Sequence, residues 1–496
     1  MNIDVNLPAL IIVVPLFSAM FMVAAGVFYR KIVPFIFQFV SFLTAYFSFL
    51  LLFRVYKTGP VRYFFGNWAP PLGIEYYVDY TNILFVVIIA SVFFIMSFYF
   101  PKIVNNEIDE GKTYIFYSIT TLFITGLLGI TITGDLFNIY VFTEISSITA
   151  YALIAIGGTK KSYRSSFNYL ILGTIGASFV VLGIGYLYMA TGTLNLLDMQ
   201  QRLVPMYNSK IVVVGAAFIV LGLSMKMALF PLHSWLPGAY SHSPSAISAL
   251  MSATSTKVMA YVMIRFLYTV FTPKFDVNVI PIQEILFIIS LIAILAGSFM
   301  AIGQKDIKMM FAYSSVGQIG YILLGATMLS NNGLVGSMYH FLSHAFVKGG
   351  LFMVSGIVFY SLSTTKIYDY CGLYKKMPLT SIAFLIFTLS MIGIPLTSGF
   401  VSKWYLVVGA IDSGKWIAVF VILLSSLLTA VYFWRVVDNI FFTKSESNNS
   451  DVIKEPIAMV IPTYIMAGVT IYFGIFTNDL VAFAQKAAEL LMETCK

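Results

Sequence analysis

Runs of apolar residues separated by short polar links recur along the whole chain. A bilayer core about 30 Å thick takes about 20 residues of helix to cross, so each such run predicts one span. About fourteen follow on that rule, at roughly 7–28, 33–54, 78–100, 114–133, 136–156, 167–189, 210–232, 244–271, 281–302, 308–329, 333–361, 380–411, 416–442 and 456–476. The closing stretch, LVAFAQKAAELLMETCK, is amphipathic and predicts a helix lying at the membrane interface. The opening MNIDVNLPALIIVVPLF lacks a basic leader region and a small-residue cleavage site, so its apolar run reads as the first span.

Composition agrees. Of 496 residues, 59% are hydrophobic and 10% are charged, against about 25% charged in soluble proteins. The fold class is therefore an all-α polytopic membrane protein. The net charge of +8 points to basic loops, with no nucleic-acid partner. With the N-terminus outside, the inner loops hold about 15 Lys/Arg against about 9 on the other side, which puts both termini outside. Those loops include residues 29–31, 157–164, 303–308 and 369–376. Cys371 and Cys495 make neither a disulfide framework nor a metal spacing, and four histidines are too few for a multi-haem or di-iron site.

Two spans are interrupted, one at FPLHSWLP and one at GIPLTSGF. Pro231, Pro237 and Pro395 predict the breaks, because proline removes a backbone donor and clashes with the preceding turn. The breaks occupy the same place in two successive five-helix blocks, about 114–271 and 281–442. Matching interrupted helices in two halves mark a transporter built from inverted repeats, although prolines are also simply tolerated in membrane helices. The predicted organisation is 1–110 for three leading helices, 111–272 and 273–443 for the two repeats, and 444–496 for a last span and the tail.

Ionisable groups deep in a span are expensive, at least about 2.5 kcal/mol each, and so are functional candidates. Glu144, Lys226, Lys257 and Lys348 sit centrally in their spans, and Lys403 follows the second break. His340 and His344 precede Lys348 on one helix face. Arg54, Arg265 and Arg435 lie near helix ends and read as snorkelling side chains. A buried lysine keeps its proton while a carboxylate is beside it and yields it when that charge leaves. A row of lysines and histidines can therefore pass a proton sideways, and the broken helices would supply polar backbone and room for water. The His340/His344 pair could alternatively ligate a metal or haem; no carboxylate or cysteine adjoins it, and a relay role suits histidine better. His233 and His242 flank the first break as relay or gate candidates, or as helix-end hydrogen-bonding groups. Asp135 starts a helix and reads as a cap or mouth residue.

GDLFNIYVFTEISSITAY, KMALFPLHSWLPGAYSHSPSAISAL, STKVMAYVMIRF, QKDIKMMFAYSSVGQIGY and SHAFVKGGLF resemble the antiporter-like subunits shared by respiratory complex I, Mrp cation/proton antiporters and membrane-bound hydrogenases, with the D-type Mrp subunits nearest. The resemblance spans about 70 to 440. It implies 14 helices with two inverted five-helix repeats, and a proton-translocating subunit in a prokaryotic inner-membrane assembly. The partners would be other membrane subunits, H+, Na+ and lipid. It places the family's essential acid on Glu144, its lysines on Lys226 and Lys257, and its twelfth-helix charge on Lys403. Any iron–sulfur or NiFe cofactor would belong to partner subunits. A complex I pumping subunit is the alternative within the family. Outside it stand an unrelated inverted-repeat solute transporter, a quinone or haem subunit and an intramembrane hydrolase, for which the sequence offers no site.

Overall fold

A computed structural model describes residues 3–443 and 452–493; Cys495 and the 444–451 link lie outside those ranges. Three helices lead: α1 (Ile3–Phe28), α2 (Val33–Thr58) and α3 (Tyr80–Glu107). Next come α4 (Thr113–Ile132), α5 (Leu136–Ala155), α6 (Lys160–Thr191), a short α7 (Leu196–Leu203), the halves α8 (Lys210–Lys226) and α9 (Trp235–His242), and α10 (Ser245–Arg265). After the short α11 (Thr272–Asn278) follow α12 (Ile282–Ile302), α13 (Ile307–Ala326), α14 (Asn331–Leu362), a one-turn α15 (Leu373–Lys376), the halves α16 (Pro378–Ile392) and α17 (Ser398–Asp412), and α18 (Trp416–Phe441). The chain closes with α19 (Ile457–Ile475) and α20 (Asn478–Glu493). Twelve helices among the described residues are long and apolar enough to cross a membrane. The two interrupted helices supply the other two of the fourteen crossings that the apolar runs predict.

Both breaks fall where the sequence places them, with one difference. Pro231 and Pro395 lie between the helix halves, whereas Pro237 stands in the first turn of α9. A first-turn N–H has no intrahelical partner in any case, so Pro237 starts the second half and does not interrupt it.

The packing follows from small residues. In α10, Ser245, Ala246, Ser248, Ala249, Ser252, Ala253 and Ser255 are all buried, and small side chains let membrane helices approach closely. The helix is thereby enclosed by α3, α13 and α14. Gly222 of α8 makes one such approach, because a Cβ there would lie 2.5 Å from the carbonyl oxygen of Gly176 in α6.

One element has no counterpart in the apolar pattern. The link between α2 and α3 forms an antiparallel hairpin, β1 (Val61–Phe64) with β2 (Glu75–Val78), in register Val61 to Val78. Its buried Glu75 accepts from Asn195 Nδ2 at 2.8 Å, while Tyr76 bridges to Thr133. The hairpin thus lies over the α4–α5 and α6–α7 connections; this side is called the hairpin face below. The amphipathic α20 buries Leu480, Val481, Ala484, Ala487, Ala488 and Leu491 against α3 and α14.

Candidate functional site

The broken helix meets α5 and α6 around the first break. Lys226 is the last residue of α8, and its Nζ donates to Glu144 Oε1 at 3.0 Å and to Ser147 Oγ at 2.9 Å, both on α5. The lysine side chain is 2% exposed and the glutamate 26%. Glu144 is therefore half-buried, where its central position predicts a fully buried acid. The carbonyls that α8 leaves free at its end are satisfied locally, with Trp235 Nε1 donating to Met225 O at 3.0 Å. Trp235 is in turn stacked on Tyr169, with ring centroids 3.9 Å apart.

The second break is built differently. Lys403 projects from the second half, α17, and reaches back to the end of the first. Its Nζ donates to Met391 O at 3.0 Å, Ile392 O at 2.9 Å and Ser426 Oγ at 3.0 Å. Those two carbonyls are the ones α16 leaves unpaired, and a cation at a helix C-terminus is favoured by the dipole. Gly393 permits this twice over. It takes the left-handed φ of +92°, and a Cβ there would come within 3.0 Å of Lys403 Cδ. Each break also holds a non-glycine residue in the left-handed region, Ala228 (φ 57°) and Leu396 (φ 72°). Such conformations cost on the order of 1–3 kcal/mol and gather at functional sites.

Between the two breaks runs a buried line of bases. Lys257 on α10 donates to the Ser252 carbonyl. Lys348 on α14 donates to Phe311 O at 2.8 Å and to Ser314 Oγ, both on α13. His340 Nδ1 pairs with Ser402 Oγ of α17 at 2.9 Å. The His340 and His344 rings lie 5.9 Å apart, tilted by 20°. His344 is within electrostatic reach of Lys257, Lys348 and His340, and His340 within reach of Lys403 and Lys257. Tyr321 joins the group, its ring 5.3 Å from His340 and 5.5 Å from Lys403 Nζ. Both ring nitrogens of His344, and Nε2 of His340, have no hydrogen-bond partner among the described residues. Buried polar atoms of that kind call for water or for a partner that changes. No group of three or more His, Cys, Asp or Glu side chains forms a metal-holding cluster among the described residues.

The remaining candidates are peripheral. His233 lies in the first break, stacked on Phe230 and 6.3 Å from the Tyr313 ring of α13. His242 ends α9 and pairs through Nδ1 with Ser165 Oγ at 3.0 Å. Asp135 caps α5, accepting from Asn138 N at 2.7 Å.

Arg265 departs from the sequence expectation. It does not snorkel to an interface; it is buried, and its Nη2 donates to Asp79 Oδ2 at 2.7 Å. Lys308, read as part of a loop, is also buried and donates to Ser245 Oγ at 2.8 Å. Glu107 accepts from Ser245 N and Oγ, each at 2.6 Å. Position alone hides all three, since each lies within a turn of a helix end and its partner is distant in sequence. Arg435 does stay exposed, with its guanidinium on the carbonyls of Ile302 and Gln304.

Known proteins resemble the chain along nearly its whole length. Residues 133–429 match the family described as NADH:quinone oxidoreductase/Mrp antiporter, TM. The chain is 41% identical to the N subunit of the NADH-quinone oxidoreductase of Desulforudis audaxviator, covering 96% of this chain and 97% of the relative. It is 29% identical to the D subunit of the Na(+)/H(+) antiporter of Bacillus subtilis, covering 89% and 88%. Among solved structures, a chain of the membrane-bound sulfane sulfur reductase, an archaeal respiratory membrane complex, superposes with a TM-score of 0.92 at 32% identity, covering 99% of this chain and 98% of that one. A chain of the Mrp complex from a Dietzia species shares the fold, with a TM-score of 0.91 at 23% identity over 99% and 98%. The family match covers more than half of the sequence and contains every lysine and histidine of the buried line, so the chain belongs to the NADH:quinone oxidoreductase/Mrp antiporter membrane-subunit family.

Proposed function

We propose that this chain is a proton-translocating antiporter-like subunit of a multisubunit membrane complex, moving H+ in exchange for Na+ or another cation. The relay consists of Glu144, Lys226, Lys257, His340, His344, Lys348 and Lys403, with His233 and His242 as gate or side-branch members. The observation that carries this reading is the ion pair of Glu144 with Lys226 at the end of a broken helix. A buried ammonium 3.0 Å from a carboxylate holds its proton; withdrawing or neutralising the carboxylate releases that proton toward the next base. The break lets Lys226 move without unwinding a continuous helix, because α8 ends at Lys226 and the next half begins only at Trp235.

The same reading assigns residues 1–110 and 444–496 to a scaffold around two inverted repeats, 111–272 and 273–443. It puts the hairpin face and both termini outside the cell membrane, in agreement with the basic loops opposite. Redox centres, where the assembly has them, belong to partner subunits. A redox-driven complex of the complex I or sulfane sulfur reductase kind is favoured over a standalone Mrp antiporter by the 41% identity to the N subunit of the oxidoreductase, against 29% to the D subunit of the antiporter.

Gentle detergent purification of the tagged chain from its own membranes, with partners identified by mass spectrometry, tests the assembly. Co-purifying iron–sulfur subunits mean a redox-driven pump, and small hydrophobic subunits alone mean an Mrp-type antiporter. Isolation of the chain without partners sinks the reading.

A further inference from the structure

The two ends of α10 differ in kind. At the end remote from the hairpin stands a hydrogen-bonded chain that includes an acid and a base able to titrate, Glu107, Ser245 and Lys308. At the hairpin end stands Arg265. Lys257, Tyr261 and Arg265 follow one another at four-residue spacing and so share one helix face. We propose that Arg265, held by Asp79, is a plug that seals the hairpin face of the relay against protons and keeps Lys257 out of contact with that side. The proposal rests on reading Lys257 as a relay base.

A guanidinium has five N–H donors, no acceptor, and stays protonated in proteins. It can therefore neither accept a proton arriving from Lys257 nor pass one on, and its fixed charge raises the barrier to an excess proton or cation, as arginines do in other membrane pores. Its neighbours leave little room for a bypass. Arg265 Nε donates to the Tyr261 hydroxyl at 3.0 Å, and that hydroxyl donates to Thr131 O at 3.2 Å. Asp79 Oδ2 takes Arg265 Nη2, while Oδ1 accepts from the backbone N–H of Thr81 and Asn82 at 2.8 and 3.1 Å. The two side chains are 6% and 1% exposed. Leu136, Ile139, Val262 and Phe266 line a narrow apolar cavity together with Arg265, and the hairpin strand β2 runs directly into Asp79. Beyond Arg265 the helix widens into a π turn, Phe266–Val270, that brings Thr269 Oγ1 to 3.4 Å from Nη1. An ion pair that served only to hold helices together gains little over apolar side chains of the same volume. A proton barrier, by contrast, needs the charge itself.

The test is passive proton conductance of the intact complex in proteoliposomes, with no substrate present. A potassium diffusion potential is set by valinomycin and internal pH is read with a dye. Arg265→Gln should raise the conductance roughly tenfold, the effect of lowering a barrier by about 1.4 kcal/mol. Arg265→Lys should also leak, because it restores the charge on a group that can release its proton; it carries the test if the glutamine variant fails to assemble. Asp79→Asn, which keeps the guanidinium, should stay tight, and Arg265→Gln combined with Lys257→Ala should lose the leak. Wild-type tightness in both arginine variants overturns the plug. So does an Asp79→Asn leak equal to that of Arg265→Gln, or a leak that survives loss of Lys257. Turnover is absent from the assay, so failure of the relay reading shows separately, as normal coupled transport by a Lys226 variant.

Discussion

The two helix breaks occupy equivalent places in the two five-helix blocks, yet their lysines stand on opposite sides of the gap. At the first, Lys226 belongs to the half before the break and faces a carboxylate, while a tryptophan caps the free carbonyls. At the second, Lys403 belongs to the half after the break and caps the carbonyls itself, with hydroxyls and an aromatic ring for company. The first is an ion pair between a buried lysine and a glutamate that is partly exposed. The second is a cation anchored to fixed backbone dipoles. In the proposed relay the first position switches and the second holds, and a proton moved between them would pass from a charge-controlled site to a geometry-controlled one.

Substitutions that remove the switch should have the largest effect. Lys226→Ala is expected to abolish coupled proton transport in membrane vesicles while the complex still purifies whole, since the glutamate it leaves is half-exposed. Transport at the wild-type rate would end the assignment. Glu144→Gln should come close behind, because Lys226 then lacks its counter-charge; the check is transport measured over a range of pH, and a normal profile throughout would make the pair structural. Lys403→Ala should separate the two breaks more finely. Besides slowing transport it leaves the Met391 and Ile392 carbonyls unsatisfied, a loss of about 1–3 kcal/mol readable as a lower melting temperature than that of Lys226→Ala. Equal melting temperatures would contradict the anchoring role. Ala228→Gly should relieve the left-handed strain of the first break and raise thermal stability by up to about 1 kcal/mol, provided the added backbone freedom does not offset it.

The smallest effect is expected at Asp135. Its carboxyl is pushed above the usual range by burial, opposed by backbone hydrogen bonds from Asn138 and Phe137. A carboxyl raised in this way stabilises the fold at acid pH and loses that contribution as pH rises through its folded value. Asparagine caps a helix as well as aspartate does. Asp135→Asn should therefore match the wild type near pH 4 and exceed it at neutral pH by less than about 0.5 kcal/mol, measured as melting temperature against pH.

The main spans and the chief charges are legible in the sequence for one physical reason. A bilayer admits few charges, so Glu144, Lys226, Lys257, Lys348 and Lys403 stand out against apolar runs, and a proline inside such a run shows where backbone must be rescued. Their hydroxyl partners do not stand out. Ser147, Ser314 and Ser426, like Ser402 beside His340, look like any serine in a membrane helix, and only three-dimensional proximity selects them. Arg265 defeats the pattern because snorkelling is a good rule for arginines near helix ends; a buried aspartate 186 residues earlier overrides it. The hairpin escapes notice because it lies in an aromatic-rich link, broken by glycines and prolines, between two apolar runs, where the period of the spans carries no information.

The pairing of Asp79 with Arg265 also sets a timetable for biogenesis. Chains emerge N-terminus first at about 5–20 residues per second, so an acid that must wait 186 residues for its partner stays unmatched for roughly ten to forty seconds. Glu144 waits a shorter time for Lys226, 82 residues on. Helix α10, rich in serine and carrying both Lys257 and Arg265, is in turn a poor candidate to settle in lipid unaided. It enters a membrane in which its counter-charge and the face of α3 are already waiting, whereas α13 and α14 follow it. Nascent chains halted before Arg265 would expose an unpaired carboxylate at the third helix, a mark by which membrane proteases can tell an unfinished subunit from a finished one.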